Sequence, residues 1–224
     1  WLMEGLSSYS ALMFYEKRKG RKALEDVLDA YRVDLMQKSP NGRTIESAGP
    51  IVWGIRLNSS LSPNAWRTIM YEKGAWIIHM LRSRLGDAQF LKMLGEVVRQ
   101  KQYKPLTTEE FRLLATGFLP AKAEDPKLEA FFDQWVYGTG IPSFRISHAI
   151  KGKGRKLSLS GTIAQSGVDE EFSAFVPVEV QLPGKRSLTH WVRTSSEPVT
   201  FDLALPAAPL KVILNPGSAI LTAR

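Results

Sequence analysis

Residues 70–82 read Met70-Tyr71-Glu72-Lys73-Gly74-Ala75-Trp76-Ile77-Ile78-His79-Met80-Leu81-Arg82 and contain the longest apolar helical pattern of the chain. The apolar residues recur at three- to four-residue spacing, which predicts a buried helix that begins near Ser62 and ends at Gly86. A glycine inside a helix costs about 1 kcal/mol relative to alanine. Gly74 therefore indicates that something approaches this backbone closely, for which close helix packing would suffice.

The sequence on either side of this helix predicts further helices up to about residue 140. The opening segment, Trp1–Tyr9, places one carboxylate, Glu4, at a helix start among apolar neighbours. Residues 40–63 carry three prolines and three glycines, and they predict a long loop with a short extended piece at Ile51–Leu57. The remaining predicted helices cover about residues 22–36, 87–98, 111–118 and 128–137.

Beyond Pro142 the period of the apolar residues changes from 3.6 to 2, which indicates strands. Six such stretches are separated by turns rich in glycine and proline, and they predict an antiparallel β-sandwich of the immunoglobulin or fibronectin kind. The sequence thus predicts two domains, with a helical part at residues 1–140 and a sandwich at residues 141–224. The predicted strands are centred on residues 144–146, 157–160, 175–182, 188–191, 201–205 and 212–214.

Composition excludes several classes of site. The 224 residues include no cysteine, so a disulfide framework, a thiol nucleophile and a cysteine-ligated metal are excluded. The three histidines, His79, His148 and His190, lack the i,i+4 spacing that places two imidazoles on one metal, so we expect them to be structural or surface residues. The net charge of +8 forms no stripe interleaved with aromatic residues, which argues against nucleic acid as a partner. No apolar run approaches the length of a transmembrane helix.

Two segments together resemble a known family, the gluzincin zinc aminopeptidases, to which aminopeptidase N and leukotriene hydrolase belong. Glu4 matches the third zinc ligand of the family, which lies in a Trp-Leu-Asn-Glu-Gly-Phe segment. Tyr71 matches the tyrosine that stabilises the tetrahedral intermediate, with Lys73, Gly74 and Ala75 in register. The resemblance implies that Glu4 is a metal ligand and that Tyr71 is a catalytic hydrogen-bond donor.

Further segments follow the family in order, although the chain also departs from it. Met3 replaces the usual asparagine and Leu6 the usual phenylalanine. The two histidine ligands and the general-base glutamate of the family's His-Glu-x-x-His helix are absent from this chain. It thus looks like the C-terminal part of such an enzyme, starting at the third zinc ligand. The further matching segments are Leu85-Gly86-Asp87-x-x-Phe90, the helix start at Thr107–Phe111, and Phe132-x-x-Trp135-x-x-x-x-Gly140-x-Pro142.

The resemblance implies an α+β multidomain fold. The α-helical C-terminal half of a thermolysin-like catalytic domain would precede the antiparallel β-sandwich. It also implies a fragment of a zinc metallopeptidase that, in the intact protein, hydrolyses the N-terminal peptide bond of peptide substrates. We expect zinc in the intact protein but none bound to this chain by itself, which would then be inactive, because Glu4 alone does not complete a three-ligand site.

Two other functions remain open at this point. The protein could be a non-catalytic scaffold that keeps the gluzincin architecture for protein binding, or its sandwich could be an independent binding module. A binding module of that kind is expected to expose a row of aromatic residues, and Trp191 is the only tryptophan of the predicted sandwich. A catalytic domain cut short would also expose apolar surface, which predicts self-association through that face.

Overall fold

The computed structural model describes residues 1–153 and 156–223. The chain divides into two compact units, Trp1–Thr139 and Gly140–Arg224. The first unit is helical, and the second contains the β-strands. The predicted α+β fold class, with a helical part followed by antiparallel sheets, is confirmed.

The helices of the first unit form wherever the apolar period is 3.6. Glycines end several of them: Gly20 follows α1, and Gly86 follows α4, both with the positive φ that glycine tolerates. Thr107 and Glu110 form a reciprocal capping box at the start of α6. The helices are α1 (Leu2–Lys19), α2 (Arg21–Met36), α3 (Ala65–Arg67), α4 (Gly74–Leu85), α5 (Asp87–Lys101), α6 (Thr108–Thr116) and α7 (Glu129–Trp135).

Helices α3 and α4 are joined by a π-helical turn, Thr68–Lys73, without a break in helical backbone geometry. We call residues 65–85, which include this π turn, the central helix. It begins three residues later than predicted from Ser62, after Asn64. The sequence predicted an ordinary helix throughout, because a single i→i+5 turn leaves the surrounding apolar pattern recognisable. Almost every residue of the central helix from Thr68 onward is buried.

In the loop between α2 and α3, Ile51–Leu57 is not extended, so the prediction for this segment is wrong. This segment forms 3₁₀ turns, as does Glu46–Ala48 before it. Every second residue of the segment is apolar, which resembles a strand pattern. The turns instead bury Ile51 and Leu57 at the two ends and leave Trp53 and Ile55 exposed. Gly54, with φ 57° and ψ −131°, supplies the bend between the turns.

The second unit contains two three-stranded antiparallel sheets, ordered β1-β2-β5 and β4-β3-β6. Their inward side chains form one hydrophobic core, drawn from β2, β3, β4 and β5. Gly161 of β2 pairs with Phe201 of β5, whose ring occupies the space that a side chain at Gly161 would need. The strands are β1 (Ser143–Lys151), β2 (Leu157–Ser166), β3 (Phe175–Leu182), β4 (Arg186–Arg193), β5 (Val199–Leu205) and β6 (Lys211–Leu214).

Candidate active site

Two glycines bring α1 and the central helix into backbone contact. A Cβ atom built on Gly74 would lie 3.0 Å from the Cα of Gly5, and one built on Gly5 would lie 3.0 Å from the carbonyl carbon of Gly74. Any larger residue at either position would force the two helices apart. The close approach that Gly74 indicated in the sequence is therefore helix packing. This packing sets the distance between Glu4, which precedes Gly5, and Tyr71, which precedes Gly74.

Glu4 and Tyr71 meet across this contact. Both side chains are half-buried, and the Glu4 carboxylate lies beside the Tyr71 hydroxyl. The interaction of the hydroxyl with that carboxylate, followed by burial and the negative charge of Glu4, raises the pKa of Tyr71 above its ordinary value of 10, against an opposing effect of Arg67. The phenol is therefore protonated at neutral pH and able to donate. The Trp66 ring packs edge-on against Tyr71, with 6.1 Å between ring centroids.

A buried ion pair holds the π turn on one side. The ammonium of Lys73 lies 2.7 Å from Oε1 of Glu46 and 3.2 Å from the carbonyl oxygen of Gly138, and it donates to both. The side chains of Lys73 and Glu46 are 0% and 1% exposed. This pair ties the turn that carries Tyr71 to the loop before it and to the chain after α7. Sequence reasoning missed it, since nothing in the polar loop distinguished Glu46.

A second carboxylate of the π turn, Glu72, lies in a less favourable environment. Glu72 is buried, and its Oε2 has no hydrogen-bond partner among the described residues. Burial, reinforced by the negative charge of Asp34 and opposed by Arg67, raises the pKa of Glu72 to about 7. Burial, followed by the negative charge of Glu72, raises the pKa of Tyr31 on α2. The carboxyl of Glu72 is thus partly protonated at neutral pH.

The buried histidine of the central helix belongs to a structural network. Nδ1 of His79 lies 2.8 Å from the Tyr9 hydroxyl, which also accepts a hydrogen bond from Arg82 at 3.2 Å. Arg82 in turn pairs with Glu16 at 2.6 Å and with Asp87 at 2.7 Å. This network links α1 to α4 along their length. The other histidines lie apart from it in the second unit, His148 in β1 and His190 in β4.

The described residues do not by themselves form a metal site. Within residues 1–153 and 156–223, no three histidine, aspartate or glutamate side chains are grouped so as to hold a metal ion. Glu4 is able to supply one carboxylate ligand, and its neighbour at the site is the hydroxyl of Tyr71. In the same described part of the chain, no helix combines the length and the apolar character needed to cross a bilayer.

Known proteins resemble the chain over almost all of its length. It is similar in structure to aminopeptidase A of Legionella pneumophila, solved in complex with aspartic acid, with a TM-score of 0.61 and 16% identity. This match covers 98% of the chain but 23% of the Legionella protein. The chain is also 23% identical over 220 residues to the transcription initiation factor TFIID subunit 2 of Schizosaccharomyces pombe. That alignment covers 96% of the chain and 17% of the subunit, so the chain spans a small part of either relative.

The family assignment follows from the helical unit. The peptidase family M1 domain matches residues 1–135, which include Glu4, Tyr71 and both glycines of the helix contact. The match covers more than half of the 224 residues. The resemblance to gluzincin aminopeptidases noted in the sequence is thereby confirmed at the level of the family. The chain belongs to peptidase family M1.

Proposed function

We propose that the intact protein is a zinc aminopeptidase that hydrolyses the N-terminal peptide bond of peptide substrates, and that this chain contributes Glu4 and Tyr71 to its site. The observation that carries the proposal is the backbone contact of Gly5 with Gly74, which places Tyr71 beside Glu4. Membership of peptidase family M1 supports the same reaction class.

Tyr71 would act as an oxyanion donor. Hydrolysis of an amide builds negative charge on the former carbonyl oxygen, and a neutral phenol aimed at that oxygen stabilises the charge. The raised pKa of Tyr71 keeps its proton in place over the whole neutral range. Trp66, the buried π turn and the Lys73–Glu46 pair limit the movement of the phenol, so little reorganisation is needed when charge develops.

Glu4 would be one of three protein ligands to zinc, with the other two contributed from outside these 224 residues. Zinc, when bound, supplies Lewis-acid polarisation of the scissile carbonyl. With Glu4 bound to zinc, the single proton of the Tyr71 hydroxyl would be available to the oxyanion. We expect the chain by itself neither to bind zinc at Glu4 nor to hydrolyse peptides.

The zinc content of the intact protein tests the role of Glu4. We expect Glu4→Gln to weaken zinc binding by more than the roughly 10- to 100-fold that is typical for loss of an outer-shell partner. Glu25→Gln is the matched control, since Glu25 lies on α2 and its carboxylate pairs with Arg21. Full zinc occupancy in Glu4→Gln, measured by metal analysis after dialysis, would contradict the proposal.

A second candidate is a non-catalytic scaffold that keeps the M1 architecture for protein binding. The similarity of almost the whole chain to TFIID subunit 2 favours it, because that protein is named as a transcription factor subunit. An intact protein without zinc and without turnover of aminoacyl amides would favour the scaffold. Self-association through exposed apolar surface stays a prediction, and the exposed Met3 and Phe14 of α1 support it. Light scattering measures it.

A further inference from the structure

A small pocket lies in the loop between α2 and the central helix, outside the site described above. Its volume is about 190 Å³. Two arginines and several hydroxyl or amide side chains line it, and none of the lining residues is acidic. The lining residues are Asn41, Arg43, Thr44, Ser47, Ala48, Arg56, Leu57, Ser59, Leu61 and Ser62.

Hydrogen-bonded turns build the walls of this pocket. In the first turn, the amide of Ser39 donates to the carbonyl of Arg43 at 2.8 Å. In the second, Ser59 and Ser62 exchange backbone hydrogen bonds of 3.4 and 3.1 Å. The Ser62 hydroxyl donates to the hydroxyl of Ser39 at 3.3 Å and so joins the two turns. The pocket is therefore largely formed before any ligand binds, which lowers the ordering cost of binding.

The charge of the pocket is positive and uncompensated. Arg43 and Arg56 line it, and neither guanidinium pairs with a carboxylate among the described residues. Toward the described residues, the Arg56 side chain donates a single long hydrogen bond, 3.4 Å from its Nε to the carbonyl of Trp53. Glu46 is the one acidic residue between positions 37 and 64, and it is turned inward to Lys73. Its charge is thus neutralised away from the pocket.

Hydroxyl donors complement the two guanidinium groups. The hydroxyl oxygen of Thr44 accepts the amide hydrogen of Ser47 at 3.3 Å, and that of Ser59 accepts the amide hydrogen of Ser62 at 3.1 Å. Each oxygen is used as an acceptor, so its own proton is left to be donated. A wall of guanidinium and hydroxyl donors without a carboxylate matches a small group that only accepts hydrogen bonds and carries negative charge.

We propose that this pocket is a binding site for a small oxyanion, either a carboxylate or a phosphate group, with Arg43 and Arg56 as its charged contacts. The site is independent of the peptidase function, since it uses neither Glu4 nor Tyr71. Its two arginines are exposed at the surface, so binding is expected in the millimolar range rather than tighter.

The test follows amide and arginine side-chain NMR shifts in the full chain during separate titrations with sodium phosphate, sodium acetate and sodium chloride at constant ionic strength. We expect saturable shifts at residues 41–47 and 59–62 with phosphate or acetate, and none with chloride. Saturation by phosphate alone identifies a phosphate site, and saturation by acetate identifies a carboxylate site.

Matched variants with the same change of charge complete the experiment. Arg43→Gln/Arg56→Gln is expected to weaken binding by at least about tenfold. The control Arg145→Gln/Arg186→Gln changes two exposed arginines on β1 and β4, outside the pocket, and should leave the dissociation constant within about twofold. Identical shifts with chloride, or equal weakening in both double variants, would overturn the proposal.

Discussion

The two units of the chain fill their interiors differently. Of the nine buried polar or charged residues in the described chain, eight lie in the helical unit and only Thr194 lies in the sheet unit. The core between the two sheets is aliphatic and aromatic throughout. Five of the eight lie on the central helix, which carries Tyr71. The eight are Glu46, Ser62, Thr68, Glu72, Lys73, His79, Arg84 and Asp125.

The difference shows that the interior of the helical unit depends on hydrogen-bond and ion-pair partners, whereas the core of the sheet unit depends on side chains of matching volume. Burying a polar group costs free energy unless a partner is present. Thr194, the exception in the sheet unit, accepts a hydrogen bond from the Ala174 amide at 3.0 Å and donates one to Gln165 at 2.6 Å. In the helical unit, the buried Lys73–Glu46 pair holds the turn that carries Tyr71, so substitutions there are expected to affect the site as well as stability.

The largest expected effect on stability is that of Lys73→Met. This substitution removes the ammonium that neutralises the buried Glu46, and breaking one side of a buried pair costs about 3–5 kcal/mol in the free energy of unfolding. Replacing both partners, as in Lys73→Met/Glu46→Leu, is expected to recover most of that loss. Denaturant unfolding of the three proteins measures both effects.

Leu159→Ala in the sheet core provides the comparison for that experiment. Leu159 is fully buried among apolar side chains, and its truncation is expected to cost about 2–5 kcal/mol. Because Leu159 has no charged partner, removing a charge elsewhere should not recover this loss of stability. The free energies of unfolding of Lys73→Met and of Lys73→Met/Glu46→Leu decide the matter. If the double variant were no more stable than the single one, the view that charge pairing organises the helical interior would be contradicted.

A smaller effect is expected for Gly74→Ala. The new Cβ would meet the Cα of Gly5 at 3.0 Å, and overpacking of this kind costs about 1–3 kcal/mol. The helices must separate, so the interaction of Tyr71 with Glu4 weakens and the pKa of Tyr71 falls back toward 10. Difference spectroscopy against Tyr71→Phe measures that titration.

Gly95→Ala is the matched control on α5. Nothing lies within 4 Å of the position that its Cβ would take, and the residue is exposed. Alanine is the better helix former, so this variant should gain up to about 1 kcal/mol and leave Tyr71 unchanged. If both glycine variants shifted the Tyr71 titration equally, the helix contact would not be what positions the phenol.

An effect of similar size, which appears only as pH changes, is the pH dependence produced by Glu72. Because the folded state raises the pKa of Glu72 from 4.5 to about 7, folded protein binds more protons than unfolded protein between these values. Stability is therefore full below pH 4.5 and falls as pH rises through 7. Glu72→Gln should remove this slope and stabilise the protein at pH 8 by about 1–3 kcal/mol.

Glu96 supplies the control of opposite sign. Hydrogen bonds from Arg99 and Gln100 lower the pKa of its carboxylate to about 2. Its contribution is therefore present above pH 4.5 and lost as pH falls through 2, so Glu96→Gln should not reproduce the Glu72→Gln effect. Thermal unfolding between pH 4 and 9 distinguishes the two, and unchanged pH dependence in Glu72→Gln would contradict the role assigned to that carboxyl.

The sequence predicted what depends on local periodicity and on short motifs. The change of period at Pro142 predicted where helices give way to strands, and the matched segments supplied the candidates Glu4 and Tyr71, whose roles stay predictions. The Lys73–Glu46 pair joins residues 27 positions apart in sequence, and no local pattern in the loop specified it. The sequence also did not predict the π turn, because the residues on either side of it keep the apolar period of an α-helix. The short extended piece predicted at Ile51–Leu57 was wrong because 3₁₀ turns also bury the apolar residues at the two ends of this segment.

The most direct test of the account is the turnover of an aminoacyl amide by the intact protein carrying Tyr71→Phe. Loss of one oxyanion donor typically lowers kcat by about 100- to 1000-fold. We expect that loss with bound zinc unchanged, while Tyr103→Phe, which alters a fully exposed tyrosine, leaves kcat unaltered. A kcat for Tyr71→Phe equal to that of the unsubstituted enzyme would contradict the central claim that the Tyr71 phenol stabilises the reaction's oxyanion.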